Sequence, residues 1–208
     1  MVKYDIEARI KQRQYRYPGK TNQTCDNLLR RIDLEKHEII FSDIFEFRLA
    51  DGSKVYCCFL IRRFTRQIIA FCYNYGMQAD LVVETLDSIE LLKFNHDLQI
   101  IFHSDQGKQY GAQMTLEKLI AFGFTRSMSR AGTPTDNPIA ERFVGLFKLA
   151  VVDRYQYQTI GEFIKFAEQW LNFYNQIRPH ESLGDKSPNQ FAEINNLKIV
   201  SYLVVKSA

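Results

Sequence analysis

From Ile39 onward the apolar residues follow two rhythms. The stretches "EIIFSDIFEFRL" (38–49), "VYCCFLIRRF" (55–64) and "RQIIAFCYNY" (66–75) are rich in β-branched and aromatic residues. They predict three strands, and the short connections, one carrying Asp51-Gly52, predict an antiparallel meander. Residues 78–93 then switch to helical spacing. "DLQIIFHSD" (97–105) reads as a short buried strand ending at Asp105, residues 113–123 as a second helix, and "GFTRSMS" (123–129) as another strand. Gly132 and Pro134 mark a loop. Asp136 or Asn137 is a candidate cap for a following helix with Pro138 in its first turn, running on through "IAERFVGLFKLAVVDRY". A further amphipathic helix covers about 160–176. Its Phe163, Phe166, Trp170 and Tyr174 recur at helical spacing and read as core. "RPHESLGDKSPNQF" (178–191) is a polar turn with a short final helix. The order of elements predicts a mixed sheet flanked by helices.

The first 35 residues break this pattern. They are turn-rich, weakly periodic and basic: between Arg9 and Arg31 seven positive charges face one negative, Asp26. Residues 1–35 are therefore expected to be an arm and linker, 36–192 a folded core and 193–208 a tail. Arg9, Lys11, Arg13 and Arg16 suit a phosphate-rich partner, and equally a solvated tail. The rest of the composition is that of an ordinary globular protein of 208 residues, with 46% hydrophobic and 25% charged residues. There is no membrane-length apolar run and no apolar leader in "MVKYDIEARIKQRQ", so the cytoplasm is the expected compartment. The cysteines, Cys25, Cys57, Cys58 and Cys72, have neither zinc-site spacing nor a disulfide framework.

Three carboxylates fall where strands and helices begin or end. Asp43 lies within the first strand, Asp105 ends a later one, and Glu141 stands in the first turns of a helix, separated from Asp105 by 35 intervening residues. Acids converging from such places can hold two hard divalent cations about 4 Å apart, which clamp both oxygens of a phosphoryl displacement. At about 100° per residue, Gly145 and Lys148 share the face of Glu141, while Phe143, Phe147 and Ala150 point the other way. Lys148 is thereby placed to reach a DNA phosphate, and Gly145 leaves room for a close backbone approach. Taken singly, each acid has a plain reading: a solvated strand residue for Asp43, a turn-former before Gly107 for Asp105, a dipole-favoured helix start for Glu141. Glu46 is a rival acid, on the opposite strand face by alternation. His103 reads as a packed strand residue. Arg142 suits a phosphate contact or a surface ion pair, and Arg178 and His180 suit stabilisation of their turn.

The stretches "FSDIF", "HSDQGKQYG", "GTPTDNPIAERFVGLFK" and "YNQIRPHESLGDKSPNQF" resemble the integrase-type DDE catalytic core of insertion-sequence transposases, whose second-frame proteins are the nearest likeness; retroviral integrases share that core. The likeness runs from about residue 26 to 192. It implies an α/β, RNase H-like fold: a five-stranded mixed sheet, three antiparallel strands then two parallel, flanked by α-helices. It implies Asp43, Asp105 and Glu141 as the metal-binding catalytic triad and Lys148 as a DNA contact, with Lys108, Gln109 and Tyr110 expected to line the DNA side. It implies Mg²⁺ or Mn²⁺, two ions, and strand cleavage at transposon ends followed by strand transfer. The implied partners are double-stranded DNA (ends and target), further copies of the chain and an upstream-frame subunit. The implied place is the bacterial nucleoid. Three positions depart from the pattern: Ile40 replaces a tryptophan, Phe45 a threonine or serine, and Arg62 an acid. The family's usual upstream helix-turn-helix has no counterpart in the first 35 residues, so a truncated, non-catalytic DNA-binding remnant is the alternative, and an RNase H-like nuclease a third reading.

Overall fold

The computed structural model describes residues 23–89, 98–197 and 204–206. Strands β1 (His37–Arg48), β2 (Lys54–Arg62) and β3 (Ile68–Asn74) form the antiparallel meander. Strand β4 (Gln99–Ser104) pairs parallel to β1, and β5 (Thr125–Met128) pairs parallel to β4. These are the five strands expected, in the RNase H-like arrangement. A sixth, β6 (Val204–Lys206), lies in the segment expected as a tail and pairs parallel to β3, giving the order β5-β4-β1-β2-β3-β6.

The two faces of β1 explain the layers. Ile39, Phe41, Phe45 and Phe47 point to one side, against helix α3 (Pro138–Phe147) and helix α4 (Ile160–Gln176). Ile40 points to the other, with Cys58, Leu60 and Cys72, against α1 (Ala79–Asp87) and α2 (Gln113–Ala121). The helix expected over 78–93 closes at Asp87; residues 90–97 lie outside the described residues. Beyond Phe147 the helix expected as one piece widens into a π-turn, Lys148–Val152. Helix α4 has the expected span. Thr159 Oγ1 caps it by accepting from Glu162 N at 3.2 Å, and Glu162 reaches back to Gln158 N at 2.8 Å. Helix α5 (Pro188–Ile194) starts from a capping box of Ser187 and Gln190.

Phe163 and Tyr174 are buried and Trp170 packs beside them, but Phe166 is 38% exposed and lies against Tyr155 at the rim, with ring centres 4.8 Å apart. The three departures from the resemblance have plain structural roles. Ile40 is fully buried. Phe45 packs on Phe147. Arg62 is buried in a bidentate pair with Glu38 at 2.7 and 2.8 Å, so the acid it lacks is supplied from the neighbouring strand.

The linker from Gln23 onward is docked. Leu28 N donates to Ser127 Oγ at 2.9 Å, and Leu29, Ile32 and Leu34 pack on the α3/α4 side of the core. Arg9, Lys11, Arg13 and Arg16 lie outside the described residues. Among the described residues no helix is long and apolar enough to cross a membrane.

Candidate active site

Parallel pairing places the first two carboxylates. Phe41 is opposite His103 across β1 and β4, and each strand runs two residues further to reach Asp43 and Asp105. Both side chains therefore face the α3 layer. Gly107 N donates to Asp105 Oδ1 at 2.9 Å, and Ile44 N donates to Asp43 Oδ1 at 2.8 Å. Glu141 arrives on the first turn of α3. Together with Lys148 these side chains line an open cleft of about 1220 Å³, shared with Lys108, Gln109 and Asn137. Lys148 Nζ sits 5.7 Å from the centre of the Phe45 ring, at the floor of the cleft.

The electrostatics show negative charge held close. Burial pushes the Asp43 carboxyl up to about 7; the charges of Asp105 and Glu141 add to the rise, while Ile44 N–H and Lys148 oppose it. Asp105 is raised by burial, against the hydrogen bond from Gly107, and Glu141 is raised by burial. Such hard, anionic oxygen donors suit a divalent cation, and an extra proton on Asp43 is what their mutual repulsion calls for without one. Their spacing is wider than a closed coordination shell: among the described residues, no three His, Cys, Asp or Glu side chains are grouped tightly enough to hold a metal ion.

The expectations for Tyr110 and for the cap of α3 need correction. Tyr110 reaches the cleft lining but is nearly closed to solvent, so it is not an exposed DNA contact. It is 1% exposed, and its hydroxyl hydrogen-bonds Ser42 Oγ at 2.9 Å behind Asp43. Asn137 stands at the N-cap of α3, but neither its side chain nor that of Asp136 bonds the first turn. Asp136 Oδ2 accepts from Arg130 N and Nε at 3.1 Å, and the same carboxylate pairs with Arg30. Asn137 makes no side-chain cap bond; its Nδ2 donates to Ser42 O at 3.2 Å and so ties α3 to β1 one residue before Asp43. Arg142 is exposed but lies outside the cleft lining, whereas Lys108 and Gln109 are in it. Glu46 is occupied by an ion pair with Lys54 at 3.0 Å. His103 is fully buried between Ser127 and Ser129, and burial lowers its pKa to about 4, so it is neutral.

Two models of the same description, the integrase core domain, match residues 33–134 and 123–188, which together take in every carboxylate of the cleft. The chain belongs to the integrase core family. Its relatives include the transposase for insertion sequence element IS904 of Lactococcus lactis, 26% identical over 93% of this chain and 76% of the relative. The IS150 InsK protein of Escherichia coli K12 is 29% identical over 89% of this chain, which spans 66% of that protein. For the insertion element IS407 protein of Burkholderia multivorans the chain spans 55% of the relative's length. Among solved structures, the HTLV-2 integrase catalytic core in complex with magnesium aligns at a TM-score of 0.57 and 14% identity, covering 75% of this chain and 95% of that one. A simian T-cell lymphotropic virus intasome chain aligns at a TM-score of 0.65 and 16% identity, covering 88% of this chain and 63% of that one. The integrase core fold is thus common to this chain and the retroviral proteins.

Proposed function

We propose that this integrase core cuts phosphodiester bonds at transposon ends and transfers the freed strands, with Asp43, Asp105 and Glu141 as ligands for Mg²⁺ or Mn²⁺. The observation that carries the reading is the meeting of these three carboxylates and Lys148 in one cleft of a chain from this family. Bound divalent ions would supply activation of the attacking oxygen and neutralisation of the leaving one. The chain's own residues position the DNA. Lys148 and Lys108 hold phosphates, Gln109 offers an amide to the backbone, and Gly145, where an added Cβ would meet nothing within 4 Å, leaves the helix surface open between Glu141 and Lys148. The basic arm with Arg9, Lys11, Arg13 and Arg16 extends that contact. Duplex DNA, further copies of the chain and an upstream-frame subunit complete the proposed assembly on the nucleoid.

The test is strand transfer on duplex ends with Mn²⁺, comparing wild type with Glu141→Gln in the longest available form of the protein. Activity is expected for the wild type and background for the variant; wild-type activity in the variant sinks the reading. The wider spacing of the carboxylates favours a second reading, a DNA-binding remnant, which predicts background activity in both.

Gly107 provides a finer test. A Cβ there would meet Asp105 Oδ1 and Gln109 Oε1 at 2.9 Å each, closer than a Cβ tolerates. Gly107→Ala is expected to displace the Asp105 carboxylate and weaken Mn²⁺ binding by roughly tenfold, the scale of lost support behind a ligand. Equal calorimetric affinities in the two proteins would contradict this.

A further inference from the structure

Positive charge gathers at a second place, away from the cleft lining. Arg66 lies in the turn between β2 and β3, Arg142 on the exposed side of α3, and Arg178 two residues past the end of α4. They come together around Tyr174 and His180. Arg178 Nη1 donates to His180 Nε2 at 3.2 Å, and its guanidinium lies 6.0 Å from the Tyr174 ring centre. The Tyr174 ring meets His180 at 4.8 Å and meets Phe143, the neighbour of Arg142, at 5.5 Å. All three arginines act electrostatically on both Tyr174 and His180.

Among the described residues none of the three arginines pairs with a carboxylate, whereas Arg30, Arg31, Arg62, Arg63 and Arg130 all do. His180 accepts from Arg178, so its Nε2 carries no proton and the ring is neutral. Tyr174 is a buried neutral phenol. Arg66 is held at φ 60°, a left-handed conformation that costs a non-glycine residue on the order of 1 kcal/mol, and its Nη1 donates to Arg63 O. A glycine would occupy that position without strain. An arginine therefore stands where local structure disfavours it, beside two more guanidinium groups.

We propose that Arg66, Arg142 and Arg178 form a second phosphate-binding site, which takes the sugar–phosphate backbone of duplex DNA leaving the cleft over α3 toward the end of α4. The inference rests on the reading of the cleft as a DNA-cutting site. Glu141 and Arg142 are adjacent in sequence, so a duplex touching one is beside the other. Guanidinium groups bind phosphate in a planar, two-pronged way, which suits a contact to the backbone.

The experiment measures binding of the full 208-residue chain to a random-sequence duplex of about 30 base pairs, in EDTA, from roughly 50 to 300 mM salt. In Arg66→Gln/Arg178→Gln the slope of log affinity against log salt is expected to fall by about 2, one unit per lost phosphate contact. Arg66→Gly guards against misfolding: it is expected to lower the slope by about 1 while its unfolding temperature stays level or rises. Unchanged slopes in both variants would overturn the proposal, as would a wild type with no affinity at the lowest salt. Displacement of the duplex by free mononucleotide at equal phosphate concentration would also overturn it, marking a small-anion site instead. Cleavage assayed in parallel with Mn²⁺ reports on the cleft alone. A wild type that fails to cleave, with the slope change intact, sinks the catalytic reading and supports this one.

Discussion

Asp43→Asn is expected to lose strand transfer by at least about 10³-fold, and yet to be more stable than the wild type at pH 8 in EDTA. The first effect follows from the proposed role of the carboxylate as a metal ligand, the second from its burial. Burial, reinforced by the charges of Asp105 and Glu141, raises the Asp43 carboxyl from 3.8 to about 7. The folded state therefore binds a proton that the unfolded state has already released. Stability from this group is full below about pH 4, falls as pH rises toward 7, and is flat beyond. The loss is on the order of 2–4 kcal/mol at pH 8. Asparagine carries no charge to bury, so the variant lacks that slope. Other groups titrate in the same range: burial keeps His103 and His180 neutral with pKa values lowered to about 4, and their contribution grows as pH rises from 4 to 6.5. They are common to both proteins, so the difference between the two curves isolates Asp43. Urea midpoints at pH 5 and pH 8 measure it, and parallel curves would refute the account. Under the proposed function, Mn²⁺ at pH 8 raises the wild-type midpoint and leaves the variant's in place.

Phe147→Ala is expected to cost about 3–5 kcal/mol, the usual penalty for emptying a buried aromatic site. Phe147 is fully buried at the centre of a ring cluster, with Phe45, Phe71, Phe143, Phe163 and Trp170 at 5.2 to 6.3 Å. Four of these partners belong to the sheet or α4, so the hole cannot close by moving one helix. For a domain of this size the unfolding temperature should drop by roughly 10 °C. The residue next to the hole is Lys148, whose ammonium lies over Phe45, so DNA affinity is expected to weaken along with stability. A calorimetric drop of under about 1 kcal/mol would mean that the cluster repacks.

The parts of this fold that could be read directly are those specified by near neighbours in sequence. Helix α4 starts at the threonine that caps it and ends where its apolar stripe ends. The strand meander is marked by Asp51-Gly52 and by alternation. Asn137 illustrates what local reading misses. Before Pro138 it has every mark of a cap, but its amide is spent on Ser42, 95 residues away. Tyr110 is similar: it follows Lys108 and Gln109 in a polar stretch, and its burial comes from the distant Ser42 hydroxyl and from packing on Phe102. Phe166 keeps helical spacing with core residues yet falls on the shoulder of α4, where Tyr155 covers part of it. The arginine cluster draws on three separate elements, so no window of sequence contains it. Among the carboxylates, the side each faces follows from parity and register, whereas their separation depends on how α3 packs.

Register has one more consequence, for tolerated sequence change. Asp43 and Asp105 stand side by side because of backbone pairing between β1 and β4, which includes the pair of Ile39 and Ile101 four residues earlier. Core substitutions on either face leave that pairing intact. A single inserted or deleted residue between Ile39 and Asp43 does not: it turns the carboxylate through the sheet to the α1/α2 side, where Cys58 and Leu60 lie. This short run of strand should therefore accept many apolar substitutions and no change of length, while the turn at Asp51-Gly52 should accept added residues.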